Sequence, residues 1–489
     1  MAEADSPPPV EDSAIMDEEH SGSNTAESRS TPVNSKHKVD GHPADEEVLL
    51  KKKAIRDACR RRDIQELESL AQSPAGFVTD ELRQEAWPVL LGLPIRRQSE
   101  AGEKAHEAYL DTEDVSWKRL PPHKDEGQVQ LDVDRAFVYY PDCECRDPFI
   151  KIPTTISSVN KNPVLNNNVT SDQNDDERTK QKTALSNVIL SVLRRNPYLH
   201  YFQGYHDIAQ VFLLVLPAAL RGPAVSRLST LRIRDFMLPN LTAAIAQLRL
   251  IPAILYAADP PLWAHLSQTE PFFALSGTLT MYAHDVQSLG EITRLFDVLL
   301  AREPVFSVYM FAQIVLGRRT ELFDTPPSEP EMLHSILSKL PQPLDLEALI
   351  TATARLYERH PPESLPGSAW SSGISEFSVL KTARQTADCA GQSEAVGAYY
   401  FAEHVRDLER RERRARVVKT LWAYSKPAGA VGFAVLFGIL AYWMRRSTVF
   451  GAGGGVAGGG GHTGSLSGVL AVPMRALQAV FSQWRGLVS

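Results

Sequence analysis

The sequence predicts an all-α protein, a multi-helix domain followed by a C-terminal transmembrane helix. Apolar residues recur at three- and four-residue spacing between Val48 and Glu358, as on amphipathic helices. No region shows sustained two-residue alternation or hairpin signals, so strands are not expected. A long uncharged apolar run, Ala428 to Met444, stands behind the domain, with no globular pattern around it.

Residues 1–45, rich in Ser, Pro, Asp and Glu, offer too little apolar surface to offset ordering entropy and read as a disordered acidic tail without a signal peptide. The domain is expected over 46–360. It opens with Val48, Leu49, Leu50, Ile55, Ala58, Ile64, Leu67 and Leu70 at helical spacing, beside a basic face from Lys51 to Arg62. Thr79 reads as the cap of a helix carrying Leu82, Ala86 and Trp87, which Gly92 and Pro94 stop. Residues 142–182 are polar and read as a loop insertion. Leu185, Val188, Ile189, Val192 and Leu193 return to helical spacing, and Asn196-Pro197 ends that helix. Ile208 to Leu220 reads as a buried helix. Further helices are expected over 241–257, 272–284, 292–301 and 305–316, with a closing pair over 333–340 and 344–358.

Residues 361–425 read as a linker and a basic juxtamembrane helix containing Arg410 to Arg416. A membrane-spanning helix is expected over 426–446, with Tyr442 and Trp443 at interface depth. Residues 447–489 read as a glycine-rich linker with a segment that is either an amphipathic surface helix or poorly ordered. Lys and Arg are denser upstream of the span than downstream, which puts the large domain on the cytosolic side.

With 43% hydrophobic and 23% charged residues the composition is that of a globular protein, and a net charge of −7 gives no footprint for nucleic acid. Cys59 and Cys389 are isolated. Cys143 and Cys145 are too close for a usual zinc pair, and no second pair completes a site, so free thiols are expected.

Two strings carry chemistry, Val129-x-x-Asp132-x-x-Arg135 and Tyr201-x-Gln203-Gly204. Arginine and glutamine form no hydrolytic triad and bind no metal. They are the side chains that accelerate phosphoryl transfer, the first by neutralising charge on the phosphoryl oxygens and the second by orienting the attacking water. Alone, Arg135 would read as solvated surface and Gln203-Gly204 as a turn. Their order adds weight, because Trp87-Pro-Val-Leu-Leu-Gly92 precedes both and Arg294-Leu-Phe-Asp297 follows. His206-Asp207 suggests half a catalytic dyad, but no Gly-x-Ser-x-Gly elbow accompanies it, and a structural role beside Gln203 is the simpler reading. His284-Asp285 reads the same way. Trp87 reads as core, and Arg234 and Asp235 are expected to pair or cap locally.

Over Val48 to Glu358 this succession of motifs resembles the TBC domain family of Rab GTPase-activating proteins. The resemblance implies an entirely helical fold, with Arg135 as arginine finger and Gln203 as glutamine finger. Asp132 would support the first motif, Tyr201 and Gly204 would shape the second, and Asp207 would lie beside it. It implies a Rab-family small GTPase in its GTP-bound form as partner. That partner would bring GTP and magnesium, leaving this chain without a cofactor of its own; the chain carries no Gly-x-x-x-x-Gly-Lys-Ser/Thr loop. Val129 departs from the family's usual isoleucine, and the polar loop is longer than expected. Asn196 to Asp207, Leu231 to Met237 and the C-terminal span resemble the branch anchored in the endoplasmic reticulum membrane. This implies a single-pass protein of early secretory membranes acting in ER-to-Golgi traffic. A non-catalytic Rab-binding tether with the same fold is the alternative.

Overall fold

The computed structural model describes residues 43–94, 114–137 and 169–449, and all regular structure among them is helical, as the spacing predicts. Helix α1 (Pro43–Arg61) is followed by α2 (Ile64–Gln72), whose first turn is capped by the Asp63 carboxylate accepting from the Glu66 N–H at 3.0 Å. Helix α3 (Asp80–Leu90) starts after Thr79, whose side chain makes no capping hydrogen bond. Next come α4 (Glu126–Val133), α5 (Val169–Arg195), α6 (Tyr205–Val215) and α7 (Ala218–Leu231). After short helical pieces follow α8 (Leu289–Ala301), α9 (Phe306–Gly317), α10 (Leu346–Arg359) and α11 (Glu394–Val449). Ser288 caps α8 and Asp345 caps α10 through side-chain oxygens.

The centre of the core lies where α3, α6 and α8 meet. Trp87, Phe212 and Phe296 form a buried aromatic triangle with ring centroids 5.5–5.9 Å apart. Trp87 has a second task. Its indole N–H donates to the fully buried Asp297 carboxylate at 2.9 Å. The same carboxylate accepts from the Arg83 guanidinium at 3.0–3.2 Å and from the Phe77 N–H at 3.0 Å. The close approach requires a glycine beside it: at Gly76 (φ +51°) a Cβ would lie 2.5 Å from Asp297 Oδ2. On the opposite edge of α8, Arg294 holds Glu347 of α10 in a two-pronged contact and donates to the Ala71 carbonyl after α2's last turn.

Four expectations change. Residues 169–182, expected as the end of a polar loop, are the first half of α5. Their described side chains are mostly solvated, so no apolar period reveals the helix that extends from the buried half at Leu185, Ile189 and Val192. Residues 138–168, the remainder of that expected loop, lie outside the described residues. The helix expected over 272–284 breaks, because Met281 and Tyr282 adopt left-handed backbone (φ +51° and +66°) and turn the chain back. Residues 361–408, expected as linker, join the core: Leu365, Trp370, Ile374, Val379, Leu380 and Phe401 are buried.

Arg234 and Asp235, expected to pair or cap locally, instead clasp this returning segment. Buried Asp235 accepts from Ser378 Oγ (2.5 Å), Val379 N–H (3.0 Å) and Gln247 (2.8 Å), and His404 of α11 lies 3.4 Å away. Burial pushes the Asp235 carboxyl up, but the His404 contact and the Arg234 charge hold it at about 2. Arg234 donates to the Phe377 carbonyl at 2.7 Å and to the Thr382 hydroxyl.

Among the described residues no helix is long and apolar enough to cross a membrane. The expected span over 428–444 lies mostly outside the residues whose side chains are described. Within it, Val435, Leu436, Phe437, Ile439, Leu440, Tyr442 and Trp443 are all exposed. The tails 1–42 and 450–489 also lie outside the described residues.

Replacing Asp297 by alanine would leave Arg83 buried without its partner and two further donors unpaired. We expect a loss of about 3–5 kcal/mol in urea unfolding, the usual cost of breaking one side of a buried ion pair. Trp87→Phe, which keeps the ring and removes one donor, should cost about 1–2 kcal/mol.

Candidate functional site

The arginine-bearing and glutamine-bearing motifs meet through one hydrogen bond. Asp132, in the last turn of α4, is 3% exposed, and its Oδ2 accepts from the Tyr201 hydroxyl at 2.9 Å. Gln128, one turn earlier, donates to its Oδ1 at 3.2 Å. The Tyr201 N–H in turn donates to Asp125, just before α4, at 2.9 Å. Burial, and then the Asp132 charge, push the Tyr201 hydroxyl far above its ordinary value, so it remains a donor. Valine at 129 fits this helix as isoleucine would, since its side chain is fully buried.

From this shared base each motif sends one residue outward. Past α4 the chain turns, with the Arg135 N–H bonded to the Asp132 carbonyl at 3.1 Å. Arg135 is exposed, and among the described residues its guanidinium has no hydrogen-bond or ion-pair partner. The neighbouring Asp134 carboxylate is occupied by Gln130 at 2.8 Å. Gln203 is likewise exposed, on the loop before α6. Gly204 ends that loop in left-handed conformation (φ +93°) at the N-cap of α6. A Cβ there would lie 2.6 Å from Thr280 Cγ2, so the position needs glycine for its backbone and for its space.

Asp207, in the first turn of α6, bridges two histidines. One oxygen lies 3.3 Å from His206 Nε2 and the other 3.0 Å from His284 Nδ1. The bond from Asp207 raises the His284 imidazole above its ordinary value. The left-handed pair Met281-Tyr282 is what turns His284 back onto Asp207. His206 Nδ1 lies 3.4 Å from the Tyr201 hydroxyl, so one polar chain runs from Gln128 to His284 beneath the glutamine loop. No serine or cysteine enters it in these contacts, which makes His206-Asp207 a brace and not a dyad with a nucleophile. Among the described residues no group of three or more His, Cys, Asp or Glu is arranged to hold a metal ion.

Sequence reasoning missed two cations. Arg178 of α5 donates to the Phe137 carbonyl at 3.1 Å, and Lys182 donates to the Asp134 carbonyl at 2.5 Å. Both flank Arg135. The only available signal was their own spacing of one helical turn, visible once 169–182 is known to be helix.

A helical domain that presents an unpaired arginine and a glutamine from a common braced base belongs to a class of proteins that complete another molecule's reaction centre. The sequence model of the Rab-GTPase-TBC domain family matches residues 155–323, which include Gln203 and begin after Arg135. The chain is 32% identical over 339 residues to the GTPase-activating protein gyp10 of Schizosaccharomyces pombe, spanning 68% of this chain and 79% of that one. It is 30% identical over 386 residues to TBC1 domain family member 20 of Bos taurus, spanning 76% and 85%. It is 24% identical over 304 residues to the GTPase-activating protein GYP8 of Saccharomyces cerevisiae, spanning 56% and 52%. The chain belongs to the TBC family of Rab GTPase-activating proteins.

The Asp207–His284 bond gives a pH signature. The folded-state pKa of His284 is raised, so its stabilisation is complete below the unfolded value near 6.5 and is lost as pH rises through the folded value. The Tm difference between wild type and His284→Gln should therefore be largest at acid pH and shrink as pH rises above about 6.5. A difference independent of pH would exclude the charged form of this pair. Gly204→Ala should lower stability by about 1–2 kcal/mol in the same assay, from its backbone alone.

Proposed function

We propose that this protein stimulates GTP hydrolysis by a Rab-family GTPase by supplying Arg135 and Gln203 in trans. The observation that carries the reading is the Tyr201–Asp132 bond. It ties both motifs to one base while both tips remain exposed. A guanidinium fixed in this way meets the charge that grows on the transferring phosphoryl, and the glutamine amide orients the attacking water. GTP and magnesium enter with the GTPase, bound in its own loops, and this chain adds the two side chains the GTPase lacks or holds poorly. The printed names of the relatives, GTPase-activating proteins in two yeasts, support the same reaction.

The chain also reads as membrane-anchored. Between Val435 and Trp443, exposed apolar side chains are distributed around a helix, a pattern that water does not favour and lipid does. The uncharged run from 428 to 444 has 17 residues, at the short end of the ~17–25 that span a bilayer, and Arg445-Arg446 follows it. Short spans suit thinner membranes such as that of the endoplasmic reticulum. With the resemblance to the ER-anchored branch, this supports a single-pass protein of early secretory membranes whose helical domain faces the cytosol and acts in ER-to-Golgi traffic.

The test is GTP hydrolysis by a panel of Rab proteins with wild type, Arg135→Ala and Gln203→Ala. Arg135→Ala should cut stimulation by about 10³–10⁵-fold, and Arg135→Lys should not restore it, because an ammonium lacks the planar fork of donors. Full stimulation by both alanine variants would overturn the two-finger mechanism. Tight binding of a GTPase without any wild-type acceleration would favour the tether.

A further inference from the structure

The turn that carries Arg135 ends in an improbable conformation. Phe137 is a bulky, buried residue with left-handed backbone (φ +64°), a region that favours glycine. Such a residue keeps that geometry only when its surroundings over-determine it. Here they do so at both backbone atoms. The Phe137 N–H donates to Oε1 of Gln210, a buried side chain of α6, at 3.4 Å, and its carbonyl accepts from Arg178 at 3.1 Å. One residue before Arg135, the Asp134 carbonyl accepts from Lys182 at 2.5 Å. Arg178 and Lys182 stand four residues apart on α5, so one helix face reaches both carbonyls.

We infer that Arg178 and Lys182 are positioning residues for the arginine finger, and that they do this by holding the carbonyls on either side of Arg135. The inference rests on Arg135 acting as proposed above. The polar segment before Leu185 thus has a task beyond spacing two motifs: its helical end braces one of them. The chemistry explains the residue types. A carbonyl flanking the finger is free to rotate unless a donor holds it, and a cation is the strongest donor for a neutral acceptor. Two cations close to Arg135 also bias its guanidinium outward, away from its own backbone and toward an incoming anion.

The experiment uses the full chain, wild type, Arg135→Ala, the double variant Arg178→Ala/Lys182→Ala and Arg178→Lys, with the Rab that wild type accelerates most. The double variant should lose about 10- to 100-fold in kcat, the scale on which a displaced catalytic group is felt. Its KM should change by less than about threefold, because these contacts act on the finger and not on docking. Arg178→Lys, which retains a donor, should restore most of the loss attributable to Arg178. Independently of activity, hydrogen exchange at the amides of 134–137 should accelerate in the double variant. Unchanged kcat, a loss residing wholly in KM, or unchanged exchange would each overturn the inference. If Arg135→Ala itself stimulates fully, the two-finger reading fails and this inference fails with it. If Arg135→Ala is inactive while the double variant matches wild type, only the positioning role fails.

Discussion

Much of this fold hangs on one buried carboxylate. Asp297 takes donors from Arg83, Trp87 and the Phe77 backbone, and so fastens the N-terminal helices to the wall on which α6 is packed. A charge buried this deeply is costly unless its lone pairs are filled. Only the native arrangement of α3 and the loop before it fills them. Asp235 repeats the device for the other end of the chain, accepting from Ser378, Val379 and Gln247. Two acids therefore act as sockets into which the flanking segments plug. Apolar burial supplies attraction without direction, and these sockets supply the direction.

The candidate site uses the same economy at a smaller scale. Asp132 is a third buried acid, and the tyrosine that fills it belongs to the other motif. Neither loop is ordered alone: one ends in left-handed Phe137 and the other in left-handed Gly204. Each strained turn is packed against an element that has its own anchor, α5 for the first and the Thr280–His284 turn for the second. Both tips are left with nothing to bond among the described residues, which is the state a group needs if it is to meet charge only when a partner arrives.

What was legible in the sequence was what repeats or what is locally coded. Apolar spacing revealed the helices around Leu185, Ile208 and Ile292, and Gly204 could be read as a required left-handed residue. The sockets were not legible. Arg83 meets Asp297 across 214 residues and Arg178 meets Phe137 across 41, and neither contact leaves a local pattern. The first half of α5 was missed because a solvated helix has no apolar period. The segment after Pro361 was missed because its small polar residues looked like a linker, although Arg227 needs its backbone carbonyls at Cys389, Ala390 and Gln392. At Gly92 a Cβ would lie 2.0 Å from the Ala390 carbonyl oxygen, so this docking is close enough to dictate a glycine that the sequence offered only as a helix stop.

Helix α11 begins inside the core, where Phe401 is buried and His404 touches Asp235, and it runs on for 56 residues to Val449. At 1.5 Å per residue the part beyond Arg410 extends for about 60 Å. With no hinge between the core and that shaft, the helix works as a mechanical axle as well as a tether. Each residue along it advances the azimuth by about 100°, so whatever grips the far end also dictates the compass bearing of Arg135 and Gln203. Adding or deleting a single residue in the shaft would alter reach by a negligible amount and turn the working face away. Orientation, more than distance, is the quantity this helix transmits.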